Sequence, residues 1–138
     1  MSSLKFEWKP ELSVGESVID GQHQKLLSQV NKIISTILSG VETKDLEDAI
    51  NFFDSYIKEH FMYEERYMVQ NNYPNFEEHL LFHKDFIEKY LSFKKDLNDR
   101  VPAEKLIMEV EAYIGNWWLN HIAIEDKKYD LFISNKTL

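Results

Sequence analysis

Apolar residues in this chain recur at intervals of three and four, in four runs separated by polar or turn-forming breaks. In the first run Ile19, Leu26, Leu27, Val30, Ile33, Ile34 and Ile37 share one face of a 3.6-residue helix, which Gly40 closes. The second carries Leu46, Ile50, Phe53, Ile57, Phe61 and Met68, with Thr43 as its expected N-cap, and breaks at "NNYPN". Asn75, followed three residues later by Glu78, predicts a capping box for the third, whose stripe is Phe76, Phe86, Tyr90, Phe93 and Leu97. Pro102 suits the first turn of a fourth helix, with Leu106, Val110, Tyr113 and Trp117 leading to "HIAIED".

Four amphipathic helices of about 20 residues, joined by short links, can bury their stripes only against one another. The predicted fold is all-α, an antiparallel up-down-up-down four-helix bundle with an irregular N-terminal arm through about residue 17. Phe6 and Trp8 of the arm are expected to pack along the bundle, and "KKYDLFISNKTL" to add a short terminal segment. A chain of 138 residues is expected to form a single domain, 1–138, with a core of its own.

Charge narrows the partners. A net charge of −8 argues against nucleic acid and against an anionic membrane surface, both of which call for clustered Lys and Arg. The absence of cysteine removes disulfides, thiolate metal sites and C-x-x-C-H haem attachment together. "MSSLKFEWKP" has no apolar signal region and no run reaches about 18 apolar residues, so a cytoplasmic location is expected.

The five histidines change the picture more. His23 lies in the stripe of the first helix, His60 in that of the second, His79 and His83 in that of the third, and His121 one turn beyond Trp117 in the fourth. A lone core histidine is usually a hydrogen-bonded structural residue. Five of them, all inward and contributed by all four helices, point instead to a metal centre in the bundle core. Glu64, one turn after His60, shares its inward face, and a buried bare carboxylate is costly unless a cation lies beside it. Glu65 is expected to face away as a solvated charge. Asp126 is a second candidate, but five residues after His121 it would point about 140° away on a regular helix.

Five imidazoles and two carboxylates exceed the four ligands of one zinc, so two metals fit better. All-imidazole ligation would suit a coupled copper pair, whereas mixed imidazole and carboxylate donors suit non-haem iron. The Glu-x-x-His motif of ferritin-like bundles is absent, since Asp20, Ile57, Phe76, Leu80 and Trp118 stand three residues before the histidines.

The segments "LSVGESVIDGQH", "HFMYEERYM", "YPNFEEHLLFH" and "NWWLNHIAIEDKKY" occur in order and at family-like spacing, and through them nearly the whole chain resembles the single-domain bacterial hemerythrins. The resemblance implies that His79, His83 and His121 bind one iron and His23 and His60 the other, with Glu64, Asp126 and an oxo or hydroxo group bridging the two iron ions. Such a set leaves one coordination position open, on the iron held by His23 and His60. The implied activity is reversible binding of dioxygen, for storage, delivery or sensing. Phe61, Trp117, Trp118 and Ile122 are placed to keep the oxygen pocket dry and small. Trp118 departs from the aliphatic residue common at its position in the family, and the larger ring is expected to narrow oxygen access or slow release. If His121 and Asp126 both serve the centre, the fourth helix must end or distort within Ile122 to Glu125.

Two other functions compete with an oxygen carrier. One is a diiron enzyme acting on peroxide, nitric oxide or ferrous iron; Asp20 and Tyr129 flank the ligands, but hydrogen bonding explains either. The other, a metal-free helical interaction module, leaves five inward histidines without a purpose.

Overall fold

The computed structural model describes residues 6–40 and 44–136, and these form helices joined by short links. Thr43 and residues 137–138 lie outside them, so the expected N-cap of the second helix and the tip of the terminal segment are not placed. After a 3-10 turn at Pro10–Leu12, α1 spans Ser17–Ser39, α2 Lys44–Gln70 and α3 Phe76–Asn98. The fourth rod is composite. It starts as α4 (Ala103–Glu109), widens into a π-helix over Val110–Asn116, returns to α-helix as α5 (Trp117–Asn120), widens again over His121–Asp126 and ends as α6 (Lys127–Lys136).

Local chemistry explains most of the boundaries. The Glu16 carboxylate accepts hydrogen bonds from the Val18 and Ile19 N–H groups at 2.6 and 3.1 Å, capping α1. Helices α2 and α3 both end in Schellman turns, with Tyr73 N–H donating to the Met68 carbonyl and Val101 N–H to that of Asp96. The left-handed position of each turn is taken by Asn72 and Arg100 in place of glycine, which is why no glycine marks these ends in the sequence. The capping box at Asn75 does not form. With φ −101° and ψ 27° the residue lies outside the extended region from which an N-cap side chain reaches back, and it makes no side-chain capping bond. Pro102 sits one position earlier than expected, as the N-cap of α4.

Cross-helix contacts run in opposite numerical order on neighbouring elements, so the helices are antiparallel. Glu16 meets Tyr63 and Gln22 meets His60 between α1 and α2; Glu64 meets His83 and Asp54 meets Lys94 between α2 and α3. Asp85 then meets Trp117, pairing α3 with the fourth rod. The arm lies along this bundle as expected. Asn31 grips the Phe6 backbone twice, accepting from its N–H at 2.7 Å and donating to its carbonyl at 2.8 Å. The Phe6 ring fills the space that a β-carbon on Gly115 would occupy.

The fourth rod corrects the predicted stripe. Tyr113 is 48% exposed and Trp117 only partly buried, whereas Leu106, Val110, Ile114, Trp118, Ile122 and Asp126 are all buried. These six positions are spaced by four throughout. On a regular α-helix each such step overshoots a turn by about 40°, so the line would wind off the core face. The two π-helical stretches, whose hydrogen bonds reach five residues along, take up the overshoot and hold the line inward.

Apolar burial falls into two clusters. The larger runs from Leu26 and Phe53 to Trp118 and Ile122; the smaller gathers Val14, Ile19, Met68, Tyr73 and Tyr129. The layer between them holds the histidines.

Candidate metal centre

Each helix delivers its polar residues to that layer by its own periodicity. His23 on α1 sits between Ile19 of one cluster and Leu26 of the other. His60 and Glu64 are one turn apart on α2, and His79 and His83 one turn apart on α3, so each pair faces inward together. His121 and Asp126, five apart, are brought to one side because "HIAIED" is π-helical from its first residue to its last. The distortion expected within Ile122 to Glu125 is therefore present. All seven residues are buried, none more than 3% exposed.

The two carboxylates each face two ways. Glu64 Oε1 lies 3.3 Å from His79 Nε2 and 2.7 Å from His83 Nε2, while its Oε2 lies 3.5 Å from His23 Nε2 and 3.6 Å from His60 Nε2. Asp126 repeats the arrangement, with Oδ1 3.0 Å from both His79 and His121 Nε2 and Oδ2 3.2 Å from His23 Nε2. Two groups of donors result, Glu64 with His79, His83 and His121, and Glu64 with His23 and His60.

These contacts are close without being hydrogen bonds in the main. Nε2 of His23, His60 and His121 and both Asp126 oxygens are buried and lack a directed hydrogen-bond partner, although each has an oppositely charged atom within 3.6 Å. Buried polar atoms that crowd together without pairing are aimed at something between them, and imidazole with carboxylate is a donor set suited to a transition-metal ion.

Electrostatics of the protein alone carry the same strain. Burial presses His60 down to about 3, offset only in part by Glu64. Burial acts on His23 and His79 in the same direction, but the carboxylates of Asp126 and Glu64 beside them overcome it and push the two up to about 9 and about 10. Burial alone would raise the Glu64 carboxyl, yet the surrounding imidazoles hold it well below its ordinary range.

Partners behind the donors were less legible in the sequence. Glu65 is not a free surface charge. Its Oε2 lies 2.9 Å from His83 Nδ1, because a residue next to an inward one points along the bundle perimeter toward the neighbouring helix. Gln22, beside His23, reaches His60 Nδ1 in the same way at 2.7 Å. Tyr129 is fully buried and donates its hydroxyl to Glu64 Oε2 at 2.8 Å. Asp20 instead ties down the arm, accepting from Ser13 Oγ and Val14 N–H.

Of the four residues expected around an oxygen pocket, three face the interior. Phe61 stacks on His83 with ring centroids 3.9 Å apart, and Trp118 meets His23 and His60 edge-on at 5.6 and 5.3 Å. Ile122 is fully buried beside them. Trp117 lies on the outer side, stacked on His121 at 4.8 Å, its Nε1 donating to Asp85, and it lines a surface cleft of about 160 Å³. A wider groove of about 1000 Å³, between Lys44, Ile50, Leu97 and Leu106, is at the opposite end of the bundle and touches none of the donors.

No helix among the described residues is long and apolar enough to cross a membrane. The family model of the hemerythrin HHE cation binding domain matches residues 14–129, which include all seven donors. A bacteriohemerythrin from Clostridium acetobutylicum is 31% identical over 128 residues, covering 90% of this chain and 98% of its own. A second bacteriohemerythrin, from Stenotrophomonas maltophilia, is 25% identical over 88% of this chain and 77% of its own, and a myohemerythrin from Riftia pachyptila is 26% identical over 90% of each. With its buried histidine and carboxylate layer in place and the family model covering most of its length, the chain belongs to the hemerythrin family.

Proposed function

We propose that this chain is a single hemerythrin-like domain that binds dioxygen reversibly at a non-haem diiron centre, acting in the cytoplasm as an oxygen store, carrier or sensor. The observation that carries the reading is the two-way presentation of Glu64 and Asp126, each of which offers one oxygen to one histidine group and the other oxygen to the second. A single ion would not call for that split. In this reading His79, His83 and His121 would hold one iron and His23 and His60 the other, with Glu64 and Asp126 shared between them and an oxo or hydroxo group completing the centre. When bound and reduced, an iron pair supplies the two electrons and the open coordination position that dioxygen binding requires.

What the chain itself does is enclosure and orientation. Trp118 covers His23 and His60, the histidines assigned to the less crowded iron, while Phe61 and Ile122 complete an apolar wall that keeps water from the reactive face. Tyr129 holds Glu64 by one oxygen and so fixes the plane in which that carboxylate meets both histidine groups. Among the described residues, the titratable side chains outside the seven that hydrogen-bond to the donors are Tyr129 and Glu65, both engaged as outer partners. That favours binding over turnover of peroxide, nitric oxide or ferrous iron, which would call for a proton donor or acceptor open to substrate.

Iron analysis tests the centre. Protein loaded anaerobically with ferrous iron should hold two irons per chain, and Glu64→Ala, which removes a donor from both groups, should fall to near zero. Wild-type protein that retains no iron, or a Glu64→Ala protein with its full complement, would overturn the reading.

A further inference from the structure

Two of the outer hydrogen bonds follow one geometric rule but differ in charge. Gln22, next to His23 on α1, reaches the Nδ1 of His60 on α2; Glu65, next to Glu64 on α2, reaches the Nδ1 of His83 on α3. A neighbouring residue on a helix stands about 100° round the axis, so each of these points from its own helix to the ring on the next. The series continues in altered form, since Asp85 on α3 accepts from the Trp117 indole that stacks on His121. His60 is thus backed by a neutral amide and His83 by a carboxylate.

A carboxylate only accepts hydrogen bonds when ionised, so Glu65 draws on the Nδ1 proton of His83 and makes its Nε2 the stronger donor toward the interior. An amide oxygen does the same more weakly. Phe61 stacked flat on His83 keeps that ring from rotating away from Glu65. The two donor groups are therefore unequal in number and in backing: three histidines, of which His83 has an anionic outer partner, against two, of which His60 has a neutral one.

We infer that Glu65 and Gln22 are positioning residues that set an order of metal loading, in which the group of His79, His83 and His121 fills first because of the Glu65 carboxylate and the group of His23 and His60 fills second. The inference rests on the two-iron reading and adds to it an assignment of residues outside the seven donors. Glu65→Gln keeps a hydrogen-bond acceptor at Nδ1 but removes the charge; Gln22→Glu makes the reciprocal change.

The test is anaerobic titration of metal-free protein with Fe²⁺ against a coloured competing chelator, together with the melting temperature of each metal-free variant. Wild-type protein should take up two equivalents in two resolved steps. Glu65→Gln should weaken the first step by about 10- to 100-fold and leave the second in place. Gln22→Glu should strengthen the second step alone and narrow the gap. Melting temperatures of the metal-free variants close to wild type would show that these shifts do not come from a damaged fold. Two equivalents bound without resolvable order, or steps that move together or not at all in the variants, overturn the inference while leaving the two-iron centre standing. Failure of wild-type protein to take up any Fe²⁺ overturns both.

Discussion

Glu109 carries its carboxyl into the interface between α4 and α3, where it is 6% exposed and its Oε2 has no hydrogen-bond partner. Burial and a hydrogen bond to Asp96 push it up to about 7, with Lys105 opposing them only in part. The folded protein then keeps a proton that the unfolded chain releases around its ordinary value of 4.5, so stability from this group is present in acid and is lost as the pH rises through about 7. Glu109→Gln, neutral at every pH and still able to hydrogen-bond to Asp96, should match the parent at pH 4. By pH 8 it should exceed the parent, which by then carries a charge that the amide lacks. Urea unfolding of metal-free protein at the two pH values measures this, and a difference that stays constant between them would contradict it.

At the scale of the element, the fourth rod shows where periodicity informs and where it misleads. The first three helices are regular, so their stripes, their lengths and the inward direction of His23, His60, Glu64, His79 and His83 could be read from spacing alone. The fourth is not regular, and a constant 3.6-residue turn runs the apolar stripe through Tyr113 and Trp117, whereas the buried line passes through Ile114 and Trp118. The single sign of this in the sequence was the five-residue interval from His121 to Asp126, which no straight helix accommodates. The first π-helical stretch, Val110–Asn116, had no such marker. Nor did Glu65 or Gln22, whose roles depend on how far the next helix stands and not on their own spacing. Gly115 lies within that stretch, in contact with Phe6 of the arm. Gly115→Ala gains helix propensity of about 1 kcal/mol but drives a methyl group into the Phe6 ring at a cost of about 1–3 kcal/mol, and should destabilise by up to about 2 kcal/mol net. Adding Phe6→Ala removes the clash, so the second substitution should cost less in the Gly115→Ala background than in the wild type. Additive costs in this double-mutant cycle would show that the ring and residue 115 do not meet.

For the molecule as a whole, the bundle is two apolar clusters held apart by a layer of five imidazoles and two carboxylates. Such a layer is a liability without a cation, because buried donors left unpaired cost several kcal/mol each in desolvation. Metal bound to the folded state alone adds stability by mass action, about 4 kcal/mol at a thousandfold excess over its dissociation constant. Chelation of the iron should therefore lower the melting temperature by on the order of 10 °C, and an unchanged transition would mean that the layer is satisfied without metal. Reversible oxygenation makes the stronger demand, since the layer must hold the centre and Trp118, Phe61 and Ile122 must keep it dry. The direct measurement is visible absorption of the iron-loaded protein, reduced anaerobically, then exposed to air, then evacuated. A band that appears with air and disappears on evacuation over repeated cycles is the predicted result. Immediate irreversible conversion to the diferric form would contradict the carrier, and sustained consumption of oxygen when a reductant is supplied would favour an enzyme instead.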